Sequence, residues 1–188
     1  NTIISPGGFL LKLDSTGNLL WWKPFGSSVQ DVIADSVIFL TGKYTDSMSV
    51  DNVTYYGSGS STGFVCKLTA AGSADWVSSL SSTQVVDLIR GSVYNGNIFL
   101  AGYFRGSIPY SNSTMNSMGA FDILIAKYSV SGQLQWIASG GSPASEQYAH
   151  IAIDYAGRIY TCGGIEDPLN YFGILSAPIR GDNDAFVA

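Results

Sequence analysis

Three times in this chain an apolar run ends in a lysine and a second apolar residue, a glycine turn follows, and a tryptophan comes four residues after the glycine. The pairs are Lys12-Leu13, Lys67-Leu68 and Lys127-Tyr128, the glycines Gly17, Gly72 and Gly132, and the tryptophans Trp21, Trp76 and Trp136. The tryptophans stand 55 and then 60 residues apart. A second marker keeps nearly the same step. Gly42, Gly102 and Gly163 each close an apolar run, at spacings of 60 and 61. A period of this length is that of a supersecondary unit which cannot bury its apolar face alone and is completed by stacking on its neighbours.

Composition narrows what those units are. Of the 188 residues 46% are hydrophobic and only 12% charged, about half the usual charged share of a soluble domain. Ser, Thr, Gly, Asn and Tyr replace the missing charge, which suits a polar β surface. The apolar fraction excludes a disordered chain. The net charge of −5 argues against nucleic acid or an anionic membrane as partner, and no apolar run reaches the roughly 20 residues of a spanning helix, so no membrane insertion is expected. Cys66 and Cys162 are too few for a disulfide scaffold and fall at core-facing strand positions of two different repeats, which reads as buried free thiols; a disulfide between them would need those strands brought together.

The pattern predicts four short β segments per repeat and no helix. The first repeat reads as 32–35, 37–44, 63–69 and 74–80, the second as 85–92, 97–104, 121–129 and 133–139, and the third as 148–154, 158–164 and 184–188. Two strands, 8–13 and 18–25, precede them in the register of the last two strands of a repeat. Thr16-Gly17-Asn18, Asn95-Gly96-Asn97 and Ala156-Gly157-Arg158 supply the positive φ of tight hairpins. Runs such as Ile98-Phe99-Leu100-Ala101, apolar on both faces, predict strands sandwiched between layers.

Phe64-Val65-Cys66-Lys67-Leu68, Ile123-Leu124-Ile125-Ala126-Lys127-Tyr128 and Asp184-Ala185-Phe186-Val187-Ala188 resemble the D-x-F-V-A-K-(L/Y) strand of the SBBP-type β-propeller repeat. Gly17-Asn18-Leu19-Leu20-Trp21 is similar to the G-N-L-L-W segment that follows in that family. Ile151-Ala152-Ile153-Asp154 with Gly157-Arg158-Ile159-Tyr160-Thr161-Cys162-Gly163 resembles its I-A-V-D…G-N-V-Y-V-T-G hairpin. The likeness runs over nearly the whole chain, with a shortened first hairpin around Ser36 and a longer third connection, 165–181, carrying Pro168 and Pro178. It implies an all-β fold of four-stranded antiparallel blades and an extracellular or cell-surface setting, but no single activity. The expected division is 1–28 as the last two strands of a preceding blade, 29–84 and 85–143 as two blades, and 144–188 as a third, incomplete one. Propellers close with about four to eight blades. The expectation is therefore a part of a longer chain, or a structure that neighbouring chains complete.

Little in the sequence points to catalysis. His150 is the only histidine, so any Ser-His-Asp arrangement would have to be built around it; it reads as a surface or structural residue. Asp31, Asp35, Asp87 and Asp154 recur near the first strand of the repeats and read as turn caps. Asp182-Asn183-Asp184 is the best candidate for a cation, but lacks the alternating ligands and distal Glu of a calcium loop. No cofactor and no resident metal are expected. Trp21, Trp76 and Trp136 read as structural, each filling the same slot between repeats. Trp22 lies on the other face of its strand and, with Tyr44, Tyr55 and Tyr56, forms the candidate set for stacking on a sugar or partner. Asn52-Val53-Thr54 and Asn112-Ser113-Thr114 are N-glycosylation sequons, and each Asn follows the repeat glycine by ten residues. Both are expected to carry glycans if the source is a eukaryote.

The expected function is a non-enzymatic extracellular repeat segment, a structural or adhesive component of a surface layer or fibre, with further copies of itself or neighbouring surface proteins as partners. A carbohydrate-binding module using Trp22 and the tyrosines is the alternative. An enzyme with its site in a central channel is the third reading.

Overall fold

A computed structural model describes residues 7–35, 37–166, 169–171, 175–177 and 184–187. These residues are strand, turn and loop throughout, with no helix among them. Two antiparallel strands, β1 (Gly8–Leu13) and β2 (Leu19–Phe25), come first. A four-stranded meander follows: β3 (Ser28–Ala34), β4 (Ile38–Tyr44), β7 (Thr62–Leu68) and β8 (Ala74–Leu80), in the spatial order β3-β4-β7-β8. The second repeat builds the same meander from β9 (Val85–Tyr94), β10 (Asn97–Arg105), β13 (Asp122–Tyr128) and β14 (Leu134–Gly141). The third contributes β15 (Gln147–Ile153), β16 (Ile159–Ile165) and β19 (Asp184–Val187), in that order. All ladders between these strands are antiparallel.

The strands expected from the sequence are present, with shifted ends. The largest shift is at β3, which starts at Ser28 rather than Val32. Paired elements not foreseen from the sequence also occur. The connection between the second and third strands of each repeat carries a small hairpin: β5 (Ser47–Val50) with β6 (Val53–Tyr56), β11 (Ser107–Tyr110) with β12 (Ser113–Asn116), and β17 (169–171) with β18 (175–177). Each leans on the end of the preceding repeat's outer strand or the segment just after it. β17 pairs directly with β14 through Gly140 and Gly141, the Ser107 amide donates to Thr83 Oγ1, and Lys23 reaches Asp51 in the β5–β6 turn. The third connection, 166–183, thus carries the same kind of hairpin as 45–61 and 106–121 and is of nearly the same length, so it is not the longer connection expected. Ser36, Pro168 and Pro178 lie outside the described residues.

The sheets stack face to face, because the middle strands are apolar on both sides. Ile98, Phe99, Leu100 and Ala101 are all buried, as the run of four predicted. One core lies between the β1–β2 pair and the first meander, joining Leu10 and Phe25 to Leu40, Phe64, Cys66 and Leu68. The next joins Phe39 and Val65 to Leu100, Leu124, Ala126 and Tyr128. The third joins Ala101, Ile123 and Ile125 to Ala149 and Ile165. Alternation along each middle strand therefore sends one set of side chains back to the preceding sheet and the other forward to the next. The described sheets do not close into a barrel or ring.

The marker glycines have a steric cause. The first strand of each meander bulges opposite its glycine, at Val29/Asp31 and again opposite Ala101/Gly102. The bulge lays a carbonyl over the glycine. A Cβ on Gly102 would sit 1.9 Å from the Asp87 carbonyl oxygen, and one on Gly42 2.0 Å from that of Ser28. No other residue fits beneath either carbonyl.

Candidate functional site

Trp21 and Trp76 join one repeat to the next, whereas Trp136 packs edge-on against Phe99 of its own repeat at 6.1 Å between centroids. A Cβ on Gly72 would strike the ring of Trp21 at 2.8 Å, and one on Gly132 the ring of Trp76 at 2.7 Å. Each indole lies on the turn glycine of the following repeat, not on the glycine four residues before it. The Trp76 Nε1–H donates to the Val130 carbonyl at 3.1 Å in the same turn. The rings are half-buried, and Trp76 also leans on Phe39 at 5.8 Å between centroids. The turns that receive them share one design. Gly72 and Gly132 have φ of 78° and 82°, and a Thr69 or Ser129 hydroxyl accepts the amide of Ser73 or Gln133. Gly17, with φ 90°, heads the same turn in the β1–β2 pair, but nothing lies within 4 Å of the place its Cβ would take.

Asp14 closes the corresponding turn at 14–18, and Asp154 closes the turn at 154–158 between β15 and β16. Thr16 and the Asn18 amide hold the Asp14 carboxyl down to about 2. The Arg158 amide and side chain hold Asp154 down to about 2. Asp154 is therefore a turn cap, as its position in the sequence suggested. Asp31 instead links repeats: its Oδ2 accepts the Gly91 amide at 3.1 Å. Asp87 does so with charge. Its side chain is 2% exposed and is bound by Lys43 of the preceding repeat and by the Tyr103 hydroxyl at 2.9 Å. Burial pulls the Lys43 amine down, but the bond and charge of Asp87 outweigh it and leave its pKa above the ordinary value. Burial, helped by Asp87, pushes the Tyr103 hydroxyl up. Asp87 reads from sequence as a turn cap; the structure makes it the centre of a contact between repeats.

The remaining buried carboxylates fasten loops. Asp122 accepts the amides of Met118 and Gly119 at 2.8 and 3.1 Å. Glu146 is fully buried and accepts both the amide and the hydroxyl of Ser142. Burial pushes both carboxyls up, and the charges of Asp122 and Glu166 add to the rise at Glu146.

The four aromatic candidates are placed in different environments. Tyr44 is 3% exposed, with its hydroxyl on Ser79 and its ring against Phe64, so it offers no face to a sugar. Tyr55 is half-buried against the first core, while Tyr56 projects into solvent. Trp22 is exposed in a row of apolar neighbours. It pairs with Leu11 across the β1–β2 ladder, and Phe9, Leu13, Leu19 and Leu20 are likewise exposed. This open face had no signature in the sequence beyond the apolar content of β1 and β2, since the same residue types recur in repeats where they are covered.

Asn52 and Asn112 both fall in the two-residue turn of an inserted hairpin, between Val50 and Val53 and between Tyr110 and Ser113. Both are exposed. Asp51 and Asn52 have φ of 47° and 67°, the twist that a tight hairpin needs. Asp51 anchors its turn by accepting the Ala74 amide at 2.6 Å and Lys23 at 3.2 Å, contacts that lower its pKa. A shallow groove of about 560 Å³ runs beside it, lined by Lys23, Pro24, Ser49, Asp51, Asn52 and Thr54.

His150 is exposed in the middle of β15, paired with Cys162. Both cysteines are free. Cys66 is buried in the first core, where burial pushes its thiol up to about 12. Cys162 is only half-buried, a departure from the buried position expected. Asp35 sits at the corner after β3, where its amide donates to the Val37 carbonyl. Asp182 and Asn183 lie outside the described residues, and among those described no three metal-ligating side chains converge. No protein-family model and no curated protein sequence matches this chain.

Proposed function

We propose that this chain is a non-catalytic β-propeller-type repeat segment of the extracellular or cell-surface kind, serving as a structural or adhesive component of a surface layer or fibre. The observation that carries the reading is the Trp-on-glycine contact made twice, by Trp21 on Gly72 between the β1–β2 pair and the first meander and by Trp76 on Gly132 between the two four-stranded meanders. It fixes each unit rigidly to the next, so that the chain builds extended scaffold from one unit. The chemistry of the polar residues supports the same reading. Asp14, Asp122, Glu146 and Asp154 hold turns and loops, while Asp31 and Asp87 hold one repeat to another. The meanders are the blades, and closure into a ring or continuation as an open stack is set by what adjoins them.

Asn52 and Asn112 are the proposed points of N-glycan attachment in a eukaryotic source. Their exposed hairpin turns lie on equivalent insertions of successive repeats. The sugar-binding alternative is weakened by Tyr44, which is core, and by the aliphatic row around Trp22, which suits a protein partner better than a glycan.

The test is immunogold electron microscopy of the source cells with antibody raised to the chain, alongside cryo-electron microscopy of the native protein. Label on an external layer or fibre built of four-stranded blades is the expected result. Label confined to the cell interior would overturn the surface assignment, and a native particle without blades would overturn the propeller.

A further inference from the structure

We propose that the N-glycan of Asn52 folds back onto the protein, its two core N-acetylglucosamine residues lying in the groove between β2 and the β5–β6 hairpin. There they strap the β1–β2 pair to the first meander. The inference rests on the reading of Asn52 as a glycan-bearing residue in a eukaryotic source, and it names the site that the sugar occupies. Asn52 is itself part of the groove wall, together with Lys23 and Pro24 of β2 and Ser49, Asp51 and Thr54 of the hairpin. The glycan therefore starts inside the site it fills. Attached in this way, the sugars need little affinity of their own, because a short tether holds a ligand at millimolar effective concentration.

The lining has the chemistry that a sugar ring requires. N-acetylglucosamine offers an apolar C–H face, with hydroxyl groups and an acetamide around its rim. Pro24 is exposed and presents an apolar ring with no side-chain polar atom to desolvate. The Ser49 and Thr54 hydroxyls, 3.2 Å apart across the hairpin, each donate and accept. Lys23 and Asp51, ion-paired at 3.2 Å, add a charged donor and acceptor. The site is also held in place, since Asp51 accepts the Ala74 amide and Lys23 reaches Ser73. At about 560 Å³ the groove falls within the roughly 300–1,000 Å³ of small-molecule sites. It does not depend on what adjoins β1. Pro24 pairs with Phe9 as Ser79 pairs with Phe64, and Ser79 is exposed although the β1–β2 pair covers its sheet. The second hairpin supplies a control. Asn112 occupies the same turn position as Asn52, but Ser78 and Ser111 stand where Lys23 and Asp51 do. The charged wall is not repeated there, and the Asn112 glycan is expected to extend into solvent.

The chain made in a secreting eukaryotic cell is treated, native and denatured, with peptide N-glycosidase, which converts a glycan-bearing Asn to Asp as it releases the sugar. Peptide mass spectrometry follows each site. Native release at Asn52 is expected to run about tenfold slower than at Asn112, the factor that a contact of about 1.4 kcal/mol gives. The two rates should converge once the chain is denatured. Pro24→Glu, at an exposed position outside the sequon, should bring the native Asn52 rate to that of Asn112 with occupancy unchanged. A second measurement needs no variant. Amides of β5 and β6 should exchange several-fold faster in bacterially made, sugar-free protein than in the glycosylated form, while those of β11 and β12 do not change. Equal native release rates at two occupied sites, or a slow Asn52 rate that survives Pro24→Glu, would overturn the groove and leave Asn52 as an attachment point. Equal β5–β6 exchange in the two forms would do the same. Asn52 recovered without sugar would overturn the attachment reading itself, and the strap with it.

Discussion

Single residues in this fold are dictated by close approach more than by burial, and glycine substitutions separate the two. Gly102 lies under a bulge carbonyl where a Cβ would sit 1.9 Å from backbone oxygen, whereas a Cβ on Gly26 would meet nothing nearer than 3.5 Å. Gly102→Ala is expected to cost about 1–3 kcal/mol through forced displacement, and Gly26→Ala to be neutral or stabilising by up to about 1 kcal/mol through the unfolded state. Urea unfolding of the two variants measures this, and equal effects would refute the steric account. Titration also acts at this scale. Burial raises the Glu146 carboxyl above its model-peptide value of 4.5, so the native state holds that proton more tightly than the unfolded chain does. Its contribution favours folding below pH 4.5 and declines as pH rises through the elevated native value. Asp14 and Asp154, held down to about 2, act in the opposite sense: their contribution is present above pH 3.8 and fades as pH falls toward 2. Stability is expected to be greatest near pH 4 and to decline on both sides. Glu146→Gln should make the alkaline side of that profile shallower, leaving the share of Asp122, which burial also raises, in a thermal melt series across pH, without altering the acid side.

At the scale of elements, the joint between repeats is the unit on which stability turns. Trp76 binds the Gly132 turn by ring contact and by its Nε1 bond to Val130, so Trp76→Ala is expected to cost about 2–4 kcal/mol, near the lower part of the range for aromatic truncation because the ring is only half-buried. Trp21→Ala should cost a similar amount through the Gly72 turn. Trp22→Ala, on the exposed side of the same strand, should change stability by no more than about 0.5 kcal/mol. Denaturant midpoints of the three variants decide the matter; a Trp22 effect as large as that of Trp76 would contradict the assigned facings. These joints also show what the sequence made legible. The 55- and 60-residue spacing located Trp, Gly and the four strands, because periodicity and turn chemistry are local. It could not say that Trp21 lies on Gly72 rather than near Gly17, since that pairing crosses from one repeat to the next. The inserted hairpins were missed for a similar reason. Ser47–Val50 and Val53–Tyr56 are only four residues each, too short for alternation to declare them, though Asp51-Asn52 between them was a turn signal that could have been used. Asp87 read as a turn cap because nothing local announces that Lys43, 44 residues earlier, will meet it.

For the whole molecule, the stack implies a gradient of local stability. β10 and β13 lie in the middle of a sheet that is covered on both faces, with Leu100, Ala101, Ile123, Leu124 and Ala126 at zero exposure. β1 and β2 are covered on one face only, held by Leu10, Phe25 and the seat of Trp21 on Gly72. Local opening is cheapest where few apolar contacts must be broken, so β1–β2 should open as a unit far below the global unfolding free energy. Native-state hydrogen exchange at low protein concentration is expected to show the amides of Leu10–Lys12 and Leu20–Lys23 exchanging at least about a hundredfold faster than those of Leu100–Gly102 and Leu124–Ala126, a gap of about 3 kcal/mol. Protection equal to that of the middle strands would mean that the pair is part of one cooperative core and that its bare face carries no penalty.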